Sequence, residues 1–506
     1  MYQTVLWKYI YNTFFILIGI SIITLIIGIS TAWLVSTCNF FGRKFFEWAL
    51  VLPLSIPTYI IAYTYVGIFD YTGIIQKFFR NTLIMQYYFN IDIMNIYGII
   101  FLLSLVLYPY IYVLVKSTFV NQSQLLLESS RILGSNNYRT FFKIALPMAR
   151  PSIIGGLSLC LMEALNDYGA VKYFGVSTFT TGIFKAWFSL GDSNAAIYLS
   201  VFLILFVFSL ILLEKYQRGN SKYNNIEINK TLAIRYNLNL IENIFCFILC
   251  LIPVLIGFII PFLQLSYWTI QTIYKIIDYN FFNLILNSFI LSIVTSLICS
   301  IISIFLLYSI RLMPNYFVKF FVKITILGYS IPGAIIAVGI MISALSLNKV
   351  LVFLLKNIIN IDIDVVIDIS FLTLFFAYII RFLAISYNSI DSGFKKVSIK
   401  INEASRSLGV GILKTLFIIE MPLIKNSIIA SCLLVFVDVL KELPLILILR
   451  PFNFETLATK TFQLVSDEMI ANSGIYSLII VIIGLFPILF LSKLINNKKI
   501  SEYIKN

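Results

Sequence analysis

Long apolar runs separated by short polar segments make up most of this 506-residue chain. Eleven of these runs have about the twenty residues that an α-helix needs to cross the hydrocarbon core of a bilayer. They fall at roughly 12–36, 45–69, 96–118, 150–171 and 196–214 in the first half, and at roughly 243–266, 282–311, 320–346, 367–390, 426–449 and 471–494 in the second. The pattern predicts an all-α, polytopic membrane protein.

One polar segment between these runs occurs twice. Its copies are Glu128-Ser-Ser-Arg131-Ile-Leu-Gly134 leading to Ile144-Ala-Leu-Pro147, and Glu403-Ala-Ser-Arg406-Ser-Leu-Gly409 leading to Ile419-Glu-Met-Pro422. They lie 275 residues apart, and the same offset relates Asn12 to Asn287 and Pro57 to Pro332. The chain is therefore a duplication. Because Gly and Pro stand where a short helix has to turn, each copy predicts a helix-turn-helix at a membrane surface.

The offset also predicts the domain organisation. Residues 1–214 form the first repeat with about five spans, residues 215–240 form a polar, Asn-rich linker, and residues 241–506 form the second repeat with about six spans. Six spans separate matching helices, which is an even number, so the two repeats run parallel across the membrane. This argues against the inverted-repeat carrier folds.

The distribution of Lys and Arg predicts the orientation. With the two repeated segments inside, the inner loops, the linker and the C-terminal tail carry 25 basic residues and the outer segments carry 10. Loops rich in Lys and Arg stay in the cytoplasm, so both segments, the linker and the C-terminus are predicted to be cytoplasmic. An odd count of eleven spans then predicts an extracytoplasmic N-terminus.

Composition narrows the class of protein. Hydrophobic residues make up 60% of the chain and charged residues 12%, which is too little polar surface for a soluble globule of this size. The net charge of +14 lies in short loops between apolar runs, so it indicates membrane orientation and no nucleic-acid partner. Six cysteines in or beside apolar runs and no histidine disfavour a disulfide framework, a zinc site and a haem site. The first apolar run is long enough to remain as a spanning helix.

Both repeated segments resemble the cytoplasmic loop through which permease subunits of ABC importers engage their ATPases. The pattern of that loop is Glu-Ala-Ala, three residues, Gly, nine residues, Ile, one residue and Leu-Pro. The departures include Ser129-Ser130 in place of two alanines and Met421 in place of Leu. Together with the stretches 52–63, 166–170, 441–444 and 449–452, the two copies are similar to the fused permeases of ferric-iron importers, over nearly the whole chain.

The resemblance implies a fold, partners and a substrate. The fold would be that of type I ABC permeases in a bacterial inner membrane, with twelve spans in many relatives. Partners would be two copies of a cytoplasmic ATPase, an extracytoplasmic iron-binding protein and membrane lipid, with no cofactor. Residues implied at the ATPase contacts are Glu128, Arg131, Gly134, Pro147, Glu403, Arg406, Gly409 and Pro422.

A second group of candidate residues lies in the helix after each segment. Glu163 and Asp167 are four residues apart, which would place both on one helical face, and the offset relates them to Asp438 and Glu442. Carboxylates inside spans usually face a bundle interior, a partner or a water-filled path. Their hard oxygens suit a small, highly charged cation, so we expect them to line an iron path without forming a fixed metal site. The alternative is a set of interfacial charges, with Lys441 pairing with Asp438 or Glu442.

Proline occurs at matching positions in two spans, Pro57 and Pro332. A proline within a span frees a backbone carbonyl and kinks the helix, so a gate and a static kink are both open.

Two questions of function also remain open at this level. The chain has no Gly-x-x-x-x-Gly-Lys-Ser/Thr motif, so we expect ATP hydrolysis to reside in another subunit. An ATP-independent secondary carrier or cation channel is the alternative class. Thiamine, phosphate, sulfate and other solutes of ABC importers are alternative substrates.

Overall fold

A computed structural model describes residues 5–81, 92–121, 137–218, 236–359 and 369–503. The described residues are largely helical, which confirms the all-α prediction. The helices of the first half are α1 Leu6–Thr37, α2 Arg43–Ala49, α3 Thr58–Phe69, α4 Ile74–Asn81, α5 Ile96–Asn121, α6 Asn137–Thr140, α7 Leu146–Asn166, α8 Gly169–Tyr173, α9 Phe179–Phe184 and α10 Ser193–Arg218. A 3₁₀ turn at Leu52–Ser55 and π turns at Phe141–Ala145 and Lys185–Ser189 join some of them.

The second half repeats much of this order. Its helices are α11 Leu240–Val254, α12 Ile260–Ile276, α13 Tyr279–Leu312, α14 Tyr316–Ile326, α15 Gly333–Leu354, α16 Ile369–Phe394, α17 Ile399–Ser407, α18 Ile412–Lys414, α19 Met421–Lys441, α20 Pro444–Leu449, α21 Leu457–Ser466 and α22 Gly474–Tyr503. The 3₁₀ turns are Leu327–Ser330 and Ile470–Ser473, and the π turns are Leu255–Ile259, Leu355–Ile359 and Thr415–Glu420.

The spanning helices match the apolar runs. Ten helical stretches among the described residues are long and apolar enough to cross a membrane, or eleven if one bent pair counts as a single span. That pair, Arg43–Ser55 and Thr58–Phe78, is bent by 91°. The predicted run 45–69 is therefore a broken span and not one straight helix. Many large apolar side chains on the spanning helices are exposed, as expected of surfaces that face lipid.

The chain forms two compact units, and the first comprises Met1–Gln271 with Glu468–Ser492. At its centre α1, α5 and α7 pack against one another. Their backbones approach closely because glycines face Ile111: a Cβ atom on Gly28 would lie 2.8 Å from Ile111 Cβ, and one on Gly156 would lie 2.8 Å from Ile111 Cα. Small residues at such crossings are typical of helices that pack within a membrane.

Two later segments of the chain complete the first unit. Strand β1, Cys38–Asn39, pairs in parallel with β2, Tyr236–Asn237, just before α11. The start of α22 packs on α12, where a Cβ atom on Gly474 would lie 2.8 Å from Trp268 Cβ. Tyr63 and Ser477 share a hydrogen bond between their hydroxyls. The first unit thus contains residues that the repeat pattern assigns to the second half.

The second unit comprises Thr272–Asp467 and Lys493–Asn506. Helices α13, α16 and α19 pack at its centre, and these are the helices that the offset of 275 relates to α1, α5 and α7. A chain of hydroxyls crosses the three helices: Ser431 donates to Ser386 at 2.8 Å and lies 3.1 Å from Ser300. Both units therefore have the same three-helix core.

Corresponding contacts support the duplication further. Asn12 donates to the Ser177 carbonyl at 2.9 Å in the first unit, and Asn287 donates to the Glu455 carbonyl at 3.2 Å in the second. The compact units and the sequence repeats are different divisions of the chain, and the repeat bounds 1–214, 215–240 and 241–506 stay a prediction.

Candidate functional site

The second repeated segment forms a helix, a turn and a return helix. Ser398 caps α17 by accepting a hydrogen bond from the Lys400 amide at 3.3 Å. The helix ends before Gly409, whose φ of 82° lies in the left-handed region that favours glycine. Helix α18 follows and continues through a π turn into α19, where Pro422 occupies the first turn. The predicted helix-turn-helix is present here.

The outer face of this segment carries exposed charge. Glu403 and Arg406 are both exposed, and Leu408 beside them is 83% exposed. Glu403 is the fifth of nine residues in α17, so it lies in the middle of the helix. No ion pair joins Glu403 to Arg406 within the described residues. Both side chains are available on the surface.

The inner face of α17 is buried and polar. Asn402 donates to Glu420 Oε1 at 3.0 Å, and Ser405 and Thr415 share a hydrogen bond of 2.9 Å. Glu420 also pairs with Arg311 at 2.8 Å. The segment is therefore joined to the helices beneath it by hydrogen bonds between buried side chains.

Half of the predicted ATPase-contact residues lie in the first segment. Glu128, Arg131 and Gly134 fall outside the described residues. Pro147 lies in the first turn of α7, as Pro422 does in α19, and a π turn precedes each helix. Proline is well accommodated in a first turn because the amide it lacks has no partner within the helix there.

The helices that carry the carboxylates end earlier than predicted. Helix α7 ends at Asn166 and α19 ends at Lys441, so the predicted runs 150–171 and 426–449 each contain a break. Asp167 and Glu442 have extended backbones at these breaks, with ψ of 125° and 128°. Placing each pair on one helical face was therefore wrong, because the second carboxylate of each pair lies beyond the helix.

Asp167 holds the break in the first unit together. Its Oδ1 accepts hydrogen bonds from the amides of Ala170 at 3.0 Å and Val171 at 3.2 Å, which caps α8. Its Oδ2 accepts a hydrogen bond from the Thr58 hydroxyl at the start of α3. Asp167 is 7% exposed, so its carboxylate faces the protein interior. All of the partners named here are neutral donors.

Glu442 occupies the matching place in the second unit with a charged partner. Its Oε2 lies 3.3 Å from Arg381 Nε of α16, and its Oε1 accepts from the Leu445 amide at 3.3 Å, which caps α20. Both side chains are almost fully buried. Gly333 makes room for the pair, since a Cβ atom there would lie 2.7 Å from Glu442 Oε1 and 3.0 Å from Arg381 Nη1.

The other two carboxylates are half-buried on their helices. Asp438 pairs with Lys441 at 2.6 Å, which confirms one of the pairings considered for Lys441. Glu163 lies on α7, one turn before the break. The role of all four carboxylates in a transport path stays a prediction.

Pro57 and Pro332 lie at breaks and not inside helices. Each is the N-cap residue that follows a 3₁₀ turn and precedes α3 or α15. The Pro57 carbonyl accepts from Ile60 at 3.0 Å, and the Pro332 carbonyl accepts from Ile335 at 3.0 Å. The expected kink inside one continuous helix is corrected to a break at which each proline starts a new helix, and a gating role stays a prediction.

Sequence reasoning overlooked the partners of these groups. Arg381, Arg311 and Glu420 are not among the predicted site residues. A signal existed for each, because an ionisable residue inside an apolar run needs a partner. The sequence does not indicate which residue tertiary packing brings to each of them as a partner.

Part of the chain is similar to a known family of transport proteins. Residues 24–218 match the model of the binding-protein-dependent transport system inner membrane component. The Fe(3+)-transport system permease protein FbpB 2 of Haemophilus influenzae is 24% identical over 491 residues, which are 95% of this chain and 89% of that protein.

Other relatives match a smaller part of the chain. The molybdenum transport system permease protein ModB of Haemophilus influenzae is 26% identical over 148 residues, or 29% of this chain and 62% of that protein. A probable sulfate transport system permease protein cysT of Chlorokybus atmophyticus is 26% identical over 144 residues, or 28% of this chain and 48% of that protein.

Proposed function

We propose that this chain, whose residues 24–218 match the family model of inner membrane components of binding-protein-dependent transport systems, is the permease of an ATP-driven ABC importer of ferric iron. The family comprises ABC importer permeases of the type I fold, and the protein is a multi-pass inner-membrane protein. Permeases of this family work with an ATPase and a substrate-binding protein.

The observation that carries the substrate assignment is the length of one alignment. FbpB 2, a permease named for Fe(3+) transport, aligns over 95% of this chain and so includes both repeats. The molybdenum and sulfate permeases align over 28% to 39% of it. Ferric iron delivered by an extracytoplasmic iron-binding protein is therefore the substrate that we propose.

The exposed face of α17 supports the assignment of an ATPase contact. Glu403, Arg406 and Leu408 are exposed on a helix whose inner face is buried. A rigid helix that presents charge and an apolar side chain is a suitable docking element for a partner groove. We assign one ATPase to this segment and a second to the matching segment with Glu128, which makes two copies for each permease. ATP hydrolysis then belongs to those subunits.

The four carboxylates are assigned to the iron path in two roles. Asp167 and Glu442 hold the helix breaks through their capping hydrogen bonds. Glu163 and Asp438, which are only half-buried, supply the oxygens that contact the cation. Glu163→Gln keeps the volume of the side chain and removes its charge, so it should reduce iron uptake while leaving the protein level unchanged.

The ATPase contact is tested by Glu403→Ala. We expect the variant to insert normally and to co-purify with less ATPase, because the change lies on an exposed surface. Asp467→Asn is the control, since Asp467 is also exposed but lies on the predicted outer side. Normal ATPase binding and full uptake by the Glu403 variant would contradict the proposal.

The substrate is tested by uptake in cells that express the permease with its ATPase and binding protein. We expect uptake of radiolabelled ferric citrate that unlabelled molybdate does not reduce. Uptake that persists without any ATPase would favour a secondary carrier or channel, and uptake blocked by molybdate would reassign the substrate.

A further inference from the structure

A buried ion pair lies directly beneath the second cytoplasmic segment. Arg311, in the last turn of α13, contacts Glu420 Oε1 through Nη1 at 2.8 Å. Glu420 belongs to the π turn that precedes α19. The Glu420 side chain is fully buried and the Arg311 side chain is 10% exposed. Because a buried charge is stable only with a partner, each of these side chains determines the position of the other.

The same arginine also holds the end of α16. Its Nη2 donates to the carbonyl of Phe394 at 3.3 Å and to the carbonyl of Val397, and its guanidinium group lies 5.2 Å from the centre of the Phe394 ring. One side chain thus connects the cytoplasmic ends of α13 and α16 with the start of α19.

Glu420 connects this group to the predicted ATPase-contact helix. Asn402 of α17 donates to Glu420 Oε1 at 3.0 Å and to the Tyr308 hydroxyl at 3.4 Å. That hydroxyl donates to the Ile412 carbonyl at 2.8 Å, at the start of the return helix. Glu420 therefore accepts hydrogen bonds from both the contact helix and the bundle. We call Arg311, Glu420, Asn402 and Tyr308 the ionic joint.

The first repeat has different side chains at the matching positions. The offset of 275 relates Arg311 to Ser36, Glu420 to Ala145, Tyr308 to Trp33 and Asn402 to Leu127. Leu127 lies outside the described residues. Ser36 donates to the Ala32 carbonyl of its own helix at 2.6 Å, and Ala145 has no ionisable group. In the part of the first repeat that the structure describes, no ion pair therefore joins the positions that match the ionic joint.

Aromatic packing occupies this place in the first unit. The Trp33 ring lies 5.2 Å from Phe119, edge to face, and 4.9 Å from Phe141. Ring packing of this kind tolerates small changes of angle, whereas hydrogen bonds to a buried carboxylate require fixed geometry. We expect the ionic joint to be stiffer than this aromatic packing.

We propose that the ionic joint makes α17 move as one body with α13, α16 and α19, so that the second repeat is the principal route by which ATPase motion reaches the membrane helices. Arg311, Glu420 and Asn402 are positioning residues in this view, because they touch neither ATP nor substrate. The inference rests on the proposed function for its link to the ATPase. The stiffness of the joint itself can be measured on the isolated chain.

The test uses two variants of the full chain and one matched control. Glu420→Gln removes the charge and keeps the shape. The double variant Arg311→Ser with Glu420→Ala installs the residues of the first repeat and leaves no unpaired buried charge. Asp391→Asn breaks a partly exposed ion pair near the same segment, in which the carboxylate lies 2.5 Å from Lys395 Nζ.

The first measurement is hydrogen exchange of the α17 amides in the detergent-purified chain, which needs no partner. We expect exchange about tenfold faster in both joint variants and unchanged in the control, because the helix loses its buried anchor. If the α17 amides of the double variant exchanged as slowly as those of the unaltered chain, the ionic joint would not be what anchors α17.

The second measurement compares ATP hydrolysis by the co-purified complex with cellular uptake of radiolabelled ferric citrate. We expect the joint variants to bind the ATPase and hydrolyse ATP while uptake falls several-fold, since the contact surface remains but its motion is lost. Parallel loss of complex, hydrolysis and uptake would overturn the positioning role, as would normal uptake. Failure of the unaltered chain to bind any ATPase would refute the proposed function alone, and hydrogen exchange would still decide the stiffness of the joint.

Discussion

Different side chains hold the two helix breaks in the same backbone geometry. In the first unit Thr58 donates to the short side chain of Asp167. In the second unit a glycine, Gly333, stands at the position of Thr58, and the longer Glu442 pairs with Arg381 in the space this leaves. The second unit therefore lacks the Thr58 side chain and has the larger Glu442–Arg381 pair in the space that this leaves.

This packing predicts a selective effect of adding one methyl group. Gly333→Ala should reduce the free energy of unfolding by about 1–3 kcal/mol, because the new Cβ would lie 2.7 Å from Glu442 Oε1. Gly339→Ala in the same helix is the control, since no atom lies within 4 Å of a Cβ there. Thermal unfolding in detergent measures both, and an equal midpoint for the two variants would contradict the close packing.

Neutralising the two break carboxylates should have unequal effects on stability. Glu442→Gln leaves Arg381 buried beside a neutral group, which costs about 3–5 kcal/mol when one partner of a buried pair is removed. Asp167→Asn keeps an oxygen for the Ala170 and Val171 amides, and the Thr58 hydroxyl can reverse its hydrogen bond, so we expect about 1 kcal/mol.

Thermal unfolding midpoints of the two variants check this order. Asp438→Asn, which breaks a partly exposed pair with Lys441, is the matched control and should cost about 0–1 kcal/mol. A larger loss from Asp167→Asn than from Glu442→Gln would show that the Arg381 pair is not what holds the second break.

At the scale of elements, the turn after α17 orients the predicted ATPase contact. Gly409→Ala should weaken ATPase association, because φ of 82° is unfavourable for alanine by about 1 kcal/mol or more and the turn must change to relieve it. Gly411→Ala two residues later is the control, since φ there is −64° and a Cβ meets nothing within 4 Å. The measurement is the amount of ATPase that co-purifies with each variant. Equal amounts would mean that the turn does not orient the contact helix.

The apolar pattern did not predict the helix breaks, because apolar residues lie on both sides of each break. Runs 45–69, 150–171 and 426–449 satisfy the length of a span, yet each contains an interruption. Hydropathy reports which residues avoid water and does not report where backbone hydrogen bonds stop. Pro57 and Pro444 were local sequence signals for two of these breaks, and no proline marks the break at Asp167.

For the whole molecule, the charge count predicts the topology. Reporter fusions after Arg218 and after Lys498 should report a cytoplasmic location, and a fusion at the N-terminus should report the opposite side, because basic loops remain inside. Fusions within the outer segment near Asp467 serve as the control. A cytoplasmic N-terminus would mean that the bent pair of α2 and α3 does not cross the membrane as one span.

The sequence by itself determined the duplication, the helical class, the apolar spans and the positions of the polar segments. Each of these depends on local pattern or on comparison of the chain with itself, so no knowledge of packing is needed. The match of α1, α5 and α7 with α13, α16 and α19 follows from the same offset of 275 residues. The charge pattern within α17 was likewise readable in advance.

Only the tertiary structure decided which distant groups meet. Arg381 and Glu442 are 61 positions apart, and Arg311 and Glu420 are 109 apart, so no short-range pattern pairs them. Packing also placed 240–271 and 468–492 in the first compact unit. A buried charge requires a partner, but the identity of that partner depends on which helices the fold brings together.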